Sequence, residues 1–289
     1  MTAVSEAGTA VAEPRQAVDL RPVVALVTAV VAAGGLALAA RLGATPLVVV
    51  VAIVQAAIAI SWLFGTAVPG MRGALVVAAL AAGGADVTVS LFPHGRLGAL
   101  LVVVGLALPV LFVHQLMRGA ARVQVTGSLS AVAMLVFALV GLAALCQTRH
   151  EFVATGSDHV GGTVAAAAVA VPGAALIVGE LVDIVVAAPR FDRRVRRGLP
   201  ALVGAGAAGA AVGYLILRST AGFGAAPGAF LGAALGVLAA LLAVATAFVE
   251  FTTPARRSAR RNYRAVGATL LPLCLLAPVS FLLCLAVRR

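Results

Sequence analysis

Long apolar runs decide what this chain can become. Residues Leu101 to Val113 carry no charged or hydrogen-bonding side chain, and comparable runs recur from end to end. A membrane β-barrel reads as segments of about ten residues with alternating polarity, a pattern these runs lack. A helix crosses the hydrocarbon core with about 20 apolar residues, which they can supply. Composition removes the alternatives: 62% of residues are hydrophobic and 11% charged, where a soluble chain has roughly a quarter charged. Water-soluble globular, disordered and nucleic-acid-binding classes are excluded on those grounds, although the net charge is +11. The expected fold is all-α, a polytopic helical membrane protein.

Nine apolar segments can be drawn, at 23–40, 46–66, 72–91, 97–116, 125–147, 160–188, 200–217, 228–250 and 265–287. They predict a single transmembrane helical domain over 22–289, preceded by a mobile polar tail over 1–21. The tail carries Glu6, Glu13, Asp19, Arg15 and Arg21 and lacks the basic start of a secretory signal. Ala37-Leu38-Ala39 is therefore read as part of an uncleaved first helix. Pro22, Pro46, Pro200 and Pro227 stand at segment starts, where a missing N–H costs nothing. Pro109, Pro172, Pro272 and Pro278 fall inside segments, where each predicts a kink. Val171-Pro172-Gly173 is the expected break, dividing the long sixth span into two half-helices.

Arginine supplies the orientation, because positive residues accumulate in cytoplasmic loops. All 21 basic residues are Arg. Two dense runs, Arg190, Arg193, Arg194, Arg196, Arg197 and Arg256, Arg257, Arg260, Arg261, Arg264, are separated by two spans. They must share a side, together with Arg15, Arg21, Arg72, Arg118 and Arg122. The other side receives Arg41, Arg96, Arg149, Arg218, Arg288 and Arg289. The chain is expected N-in in the cell (cytoplasmic) membrane, with lipid bilayer and anionic headgroups as its partners. Trp62, Tyr214 and Tyr263 fall near segment ends, where such aromatics prefer to sit.

A charge at the bilayer centre costs about 2.5–3.5 kcal/mol on insertion scales, so such residues tend to mark sites. Asp86, Glu180 and Asp183 are the candidates. Asp86 lies about 9 Å below the outer end of the third segment, with Thr88 and Ser90 placed to solvate it. Glu180 and Asp183 share a face of the sixth segment one turn apart. Both carry charge cheaply only with a cation between them or with arginines of the neighbouring runs. Glu250, closing the eighth segment, pairs on this reading with the second run. The two arginine runs suit phosphate or anionic lipid, beside their plainer role as topology anchors.

Other signals are weaker. Arg149-His150-Glu151, Asp158-His159 and His94 gather on the outer side in a short solvated loop, without the spacing of a metal signature, and no metal is expected. Cys146, Cys274 and Cys284 read as buried thiols packing as small hydrophobes, and His114-Gln115 as a satisfied interfacial pair. Gly204-x-Gly206-x-x-Gly209 spells a dinucleotide fingerprint without the strand it requires. Gly209-x-x-x-Gly213 and Gly232-x-x-x-Gly236 instead suit close helix packing, within the chain or in a helix-packing oligomer.

The Ala/Val/Leu/Gly/Arg-rich composition without lysine resembles uncharacterised multi-pass membrane proteins of high-GC actinobacteria. That resemblance spans the whole chain and implies no activity. Three readings follow from the residues. The first is binding or transport of a small solute or lipid through a pathway near the broken sixth span, using Glu180, Asp183 and Asp86. The second is a membrane-embedded enzyme acting on a phosphorylated lipid at the cytoplasmic face. There Glu180 and Asp183 would hold a divalent cation and the arginines the phosphate. The third is an accessory membrane subunit without a site of its own.

Overall fold

The computed structural model describes residues 20–93, 96–118, 125–186, 188–191, 197–252 and 258–288, the side chains of Arg96 and of 250–259 excepted. Among the described residues every regular element is an α-helix. In chain order they are α1 (Arg21–Leu42), α2 (Ala44–Thr66), α3 (Met71–Leu91), α4 (Arg96–Met117) and α5 (Val125–Ala154), then α6 (Asp158–Val185), α7 (Leu199–Leu217), α8 (Ala225–Thr252) and α9 (Ser258–Val287). All nine contain a stretch long and apolar enough to cross a membrane, and the chain is built as a multi-pass helical membrane protein. Its surface agrees: Leu101, Val102, Leu106, Phe112 and Val113 of α4 and Val23, Val27, Val30 and Val31 of α1 all point outward. Apolar stripes of that length suit hydrocarbon, not water. The tail expected over 1–21 lies, up to residue 19, outside the described residues.

Helices α5, α6 and α9 are the most buried and α4 the least. Around the three, α1 packs on α6, α2 packs on α9 and α5, and α3 and α4 pack on α5. The bundle has an N-terminal face, where α1 begins, and an opposite face, where α9 ends. Hairpin α7–α8 is joined through glycine. A methyl group on Gly209, Gly213, Gly232 or Gly236 would strike a backbone carbonyl of the facing helix. The small-residue patterns at 209–213 and 232–236 are thus used inside the chain, where close backbone approach replaces the hydrophobic drive that lipid does not provide.

The sixth span is not broken. α6 runs continuously from Asp158 to Val185 with Pro172 inside it. Proline has no N–H for the carbonyl four residues back, which here is Ala168. Ser280 of α9 donates its hydroxyl to Ala168 O at 3.2 Å and fills that vacancy. In hydrocarbon, a neighbouring helix is what lets an internal proline persist without unwinding. Gly173 adds to this, because a side chain there would collide with Ala33 of α1.

A second correction concerns the end of α5. It runs to Ala154, and Arg149 is not in a solvated loop: its side chain is 5% exposed. Its Nε donates to Ala40 O at 3.1 Å, one of the carbonyls that α1 leaves unpaired at its C-terminus, and Nη2 meets Asp158 Oδ1 at 2.6 Å. The guanidinium therefore ties three helices together at the opposite face. Arg264 likewise caps a helix end on the N-terminal face, donating from Nε to Gly65 O at 2.8 Å and so joining α9 to the end of α2. A cation near a helix C-terminus is favoured by the helix dipole as well as by the hydrogen bond.

The pairing at Pro172 has a measurable consequence. Ser280→Ala leaves Ala168 O unsatisfied and is expected to cost about 1–3 kcal/mol of stability. Pro172→Ala restores the helical N–H, so the double variant should lose much less from the serine change than the wild type does. Unfolding of the purified variants in mild detergent, analysed as a double-mutant cycle, measures the difference.

Candidate functional site

Glu180 and Asp183 stand in the last two turns of α6, on the side turned toward the start of α7. The connection between the helices folds back on itself. Phe191 N donates to Arg197 O at 3.2 Å and Leu199 N to Pro189 O at 3.3 Å, an isolated antiparallel bridge between Arg190 and Gly198. This turn delivers Arg197 to the two acids. Its Nη1 lies 2.7 Å from Glu180 Oε2 and 3.2 Å from Asp183 Oδ2. Asp183 Oδ1 also accepts from Gly198 N at 3.1 Å, satisfying one of the orphan N–H groups at the start of α7. A guanidinium thus occupies the ground between the carboxylates where a divalent cation would sit. Beside it, among Ala25, Ala29, Glu180, Arg197 and Thr269, is a cavity of about 10 Å³, room for a single water.

The other arginine candidates divide by position. Arg264 caps α2 as described, and Arg190, Arg260 and Arg261 lie at the N-terminal face, Arg190 and Arg261 exposed and Arg260 half-buried. Arg193, Arg194, Arg196, Arg256 and Arg257 lie outside the described residues, as do His94 and the side chain of Glu250. On the opposite face His159 is exposed, and Asp158 is engaged by Arg149. Among the described residues no three metal-ligating side chains converge.

Asp86 sits elsewhere. It is half-buried in α3, five residues short of Leu91 and so about 8 Å along the helix axis. Thr88 and Ser90 do not solvate its carboxylate; their hydroxyls donate to the carbonyls of Gly84 and Asp86 in their own helix. The donor is Gln55, at the midpoint of α2 and 1% exposed. Gln55 Nε2 reaches Asp86 Oδ1 at 3.2 Å and Leu139 O of α5 at 2.9 Å. Among the described residues no ion pair reaches Asp86. Gln55 Oε1 is buried with no hydrogen-bond partner. One carboxylate without a cation and one buried acceptor without a donor therefore share a site between α2, α3 and α5.

Asp86 stands out in the sequence by its charge, whereas Gln55 gains its meaning from the contact with Asp86. The available signal was an amide at the centre of the apolar run from Leu47 to Ile60. His114-Gln115 also reads differently. Gln115 is satisfied, donating to Ser128 Oγ at 3.0 Å and accepting from Arg118 at 2.8 Å. His114 Nε2 is buried without a partner, its ring against Gly73, where any side chain would overlap it. Comparison with protein-family models, curated proteins and solved structures finds no match for this chain.

The clasp at Arg197 is testable as a unit. Arg197→Gln leaves two acids together and should cost about 1–3 kcal/mol, short of the 3–5 kcal/mol of a fully buried pair because these side chains keep some solvent contact. Adding Asp183→Asn to that variant should recover part of the loss, read by thermal unfolding in detergent.

Proposed function

We propose that this chain is a protein of the cytoplasmic membrane, N-terminus inside, that binds or moves a small solute through a site centred on Asp86 and Gln55. The observation that carries this reading is the Asp86 carboxylate, held within a membrane-spanning helix with no cation paired to it among the described residues. Such a group is costly to keep in hydrocarbon, and among the described residues its one link to a neighbouring helix is the neutral Gln55 amide, which does not compensate its charge. The orientation draws on the arginine asymmetry. With that orientation Arg190, Arg260 and Arg261 meet anionic headgroups, while Asp86 lies nearer the outer face.

Glu180 and Asp183 take a different part in this reading. Paired with Arg197, they close the inner end between α6 and α7 and hold the connection in place. The lipid-enzyme reading needs a metal between them and is disfavoured by the guanidinium there. The accessory-subunit reading is supported by that same clasp but leaves Asp86 unexplained.

Charge movement tests the proposal. Protein reconstituted in vesicles containing phosphatidylglycerol is adsorbed on a solid-supported membrane and perfused with panels of sugars, amino acids and small amines. Wild type should give a transient current with at least one compound. The current should vanish in Asp86→Asn and persist in Glu180→Gln. Currents that survive Asp86→Asn, or none across the panel, would contradict it.

A further inference from the structure

Two acceptors at Asp86 and Gln55 stand without a donor among the described residues. The orientation of the Gln55 amide is decided by its neighbours. Leu139 O and the Asp86 carboxylate are both acceptors, so the NH₂ group must face them, and a flipped amide would set oxygen against oxygen. Oε1 is consequently the atom left over, and it is fully buried. Asp86 offers a second carboxylate oxygen with no donor among the described residues. Both unpaired groups call for positive charge or a donor, and both are hard oxygen ligands.

We infer that Asp86 and the side-chain carbonyl of Gln55 together bind a monovalent cation. This rests on the reading of Asp86 as the functional centre and names what it takes. Charge decides the valence. One carboxylate and one cation of charge +1 leave a neutral site in low dielectric, whereas a divalent ion would leave an excess charge. The other intramembrane acids cannot share the load, because Glu180 and Asp183 are engaged by Arg197 on the N-terminal side. Oxygen-only ligation favours an alkali cation over a soft transition metal. The hydroxyls of Thr88 and Ser90 are already turned to helix carbonyls, so any remaining ligands are waters or solute atoms. A solute carried with the ion would meet it from the side of Asp86, which is the less buried of the pair.

The test uses full-length protein purified in mild detergent and held in choline chloride. Choline is replaced stepwise by lithium, sodium or potassium chloride at constant ionic strength, and the unfolding temperature is followed. At least one alkali ion should raise Tm saturably by about 3 °C or more, with no such rise in Asp86→Asn. Gln55→Leu should weaken the apparent affinity by about tenfold or more, as expected for one lost bond to a charged group. Absence of a selective shift in wild type overturns the inference without recourse to any variant, as does an equal shift in Asp86→Asn. A Tm that follows pH alone also overturns it, in favour of simple protonation. The two readings separate. No cation effect with a solute current still lost in Asp86→Asn removes the cation and leaves the solute site. A cation effect without any solute current keeps the cation and removes transport.

Discussion

A carbonyl oxygen without a donor has nowhere to turn in hydrocarbon, and that constraint organises this bundle. Helix ends and internal prolines leave such oxygens behind, and polar side chains from other helices answer them. Ser280 answers Ala168 opposite Pro172, Arg149 answers Ala40, Arg264 answers Gly65, and Gln147 donates to Phe92 O at 3.2 Å. Trp62 donates its indole N–H to Ala131 O at 3.0 Å. Arg288, at the end of α9, donates to Thr155 O at 2.8 Å just past α5 and lies over the Phe152 ring. These bonds cross between helices distant in sequence, so the few polar residues in an apolar chain set which helices meet.

Against that background the acids separate into two kinds. Glu180 and Asp183 belong to the same economy of satisfied groups: the one guanidinium of Arg197 bonds both, and Asp183 also accepts from the N–H at the start of α7. Asp86 does not. Its donor, Gln55, is shared with Leu139 O, and what remains of both side chains is acceptor only. Among the described residues buried side-chain polar atoms find partners apart from Gln55 Oε1 and His114 Nε2, and the first of these adjoins a carboxylate without a cation, which is the ground for the proposed ligand. Among the described residues His114 Nε2 is bonded to no carboxylate.

Span number, span placement and the shared side of the two arginine runs were legible in the sequence, because apolar length and charge density are properties of the chain itself. Segment ends were less so: α5 extends past 147 to Ala154 since Arg149 finds acceptors on α1 and α6, which no local pattern announces. The break expected at Pro172 failed for a related reason. Proline's disruption is local, but its remedy, Ser280, comes from a residue 108 positions away along the chain. Glycine patterns on α7 and α8 were readable as packing, though not that they would face each other. At the site, Asp86 stood out by charge alone, whereas Gln55 became significant only through its contact with Asp86.

Asp86 differs from Glu180 and Asp183 in having no guanidinium bonded to it among the described residues. Reaction with a hydrophobic carbodiimide, which seeks carboxyl groups inside the bilayer, reads that difference directly when labelled peptides are located by mass spectrometry. Asp86 is expected to take the label, with Glu180 and Asp183 protected behind Arg197. Labelling of Glu180 or Asp183 with Asp86 untouched would contradict it.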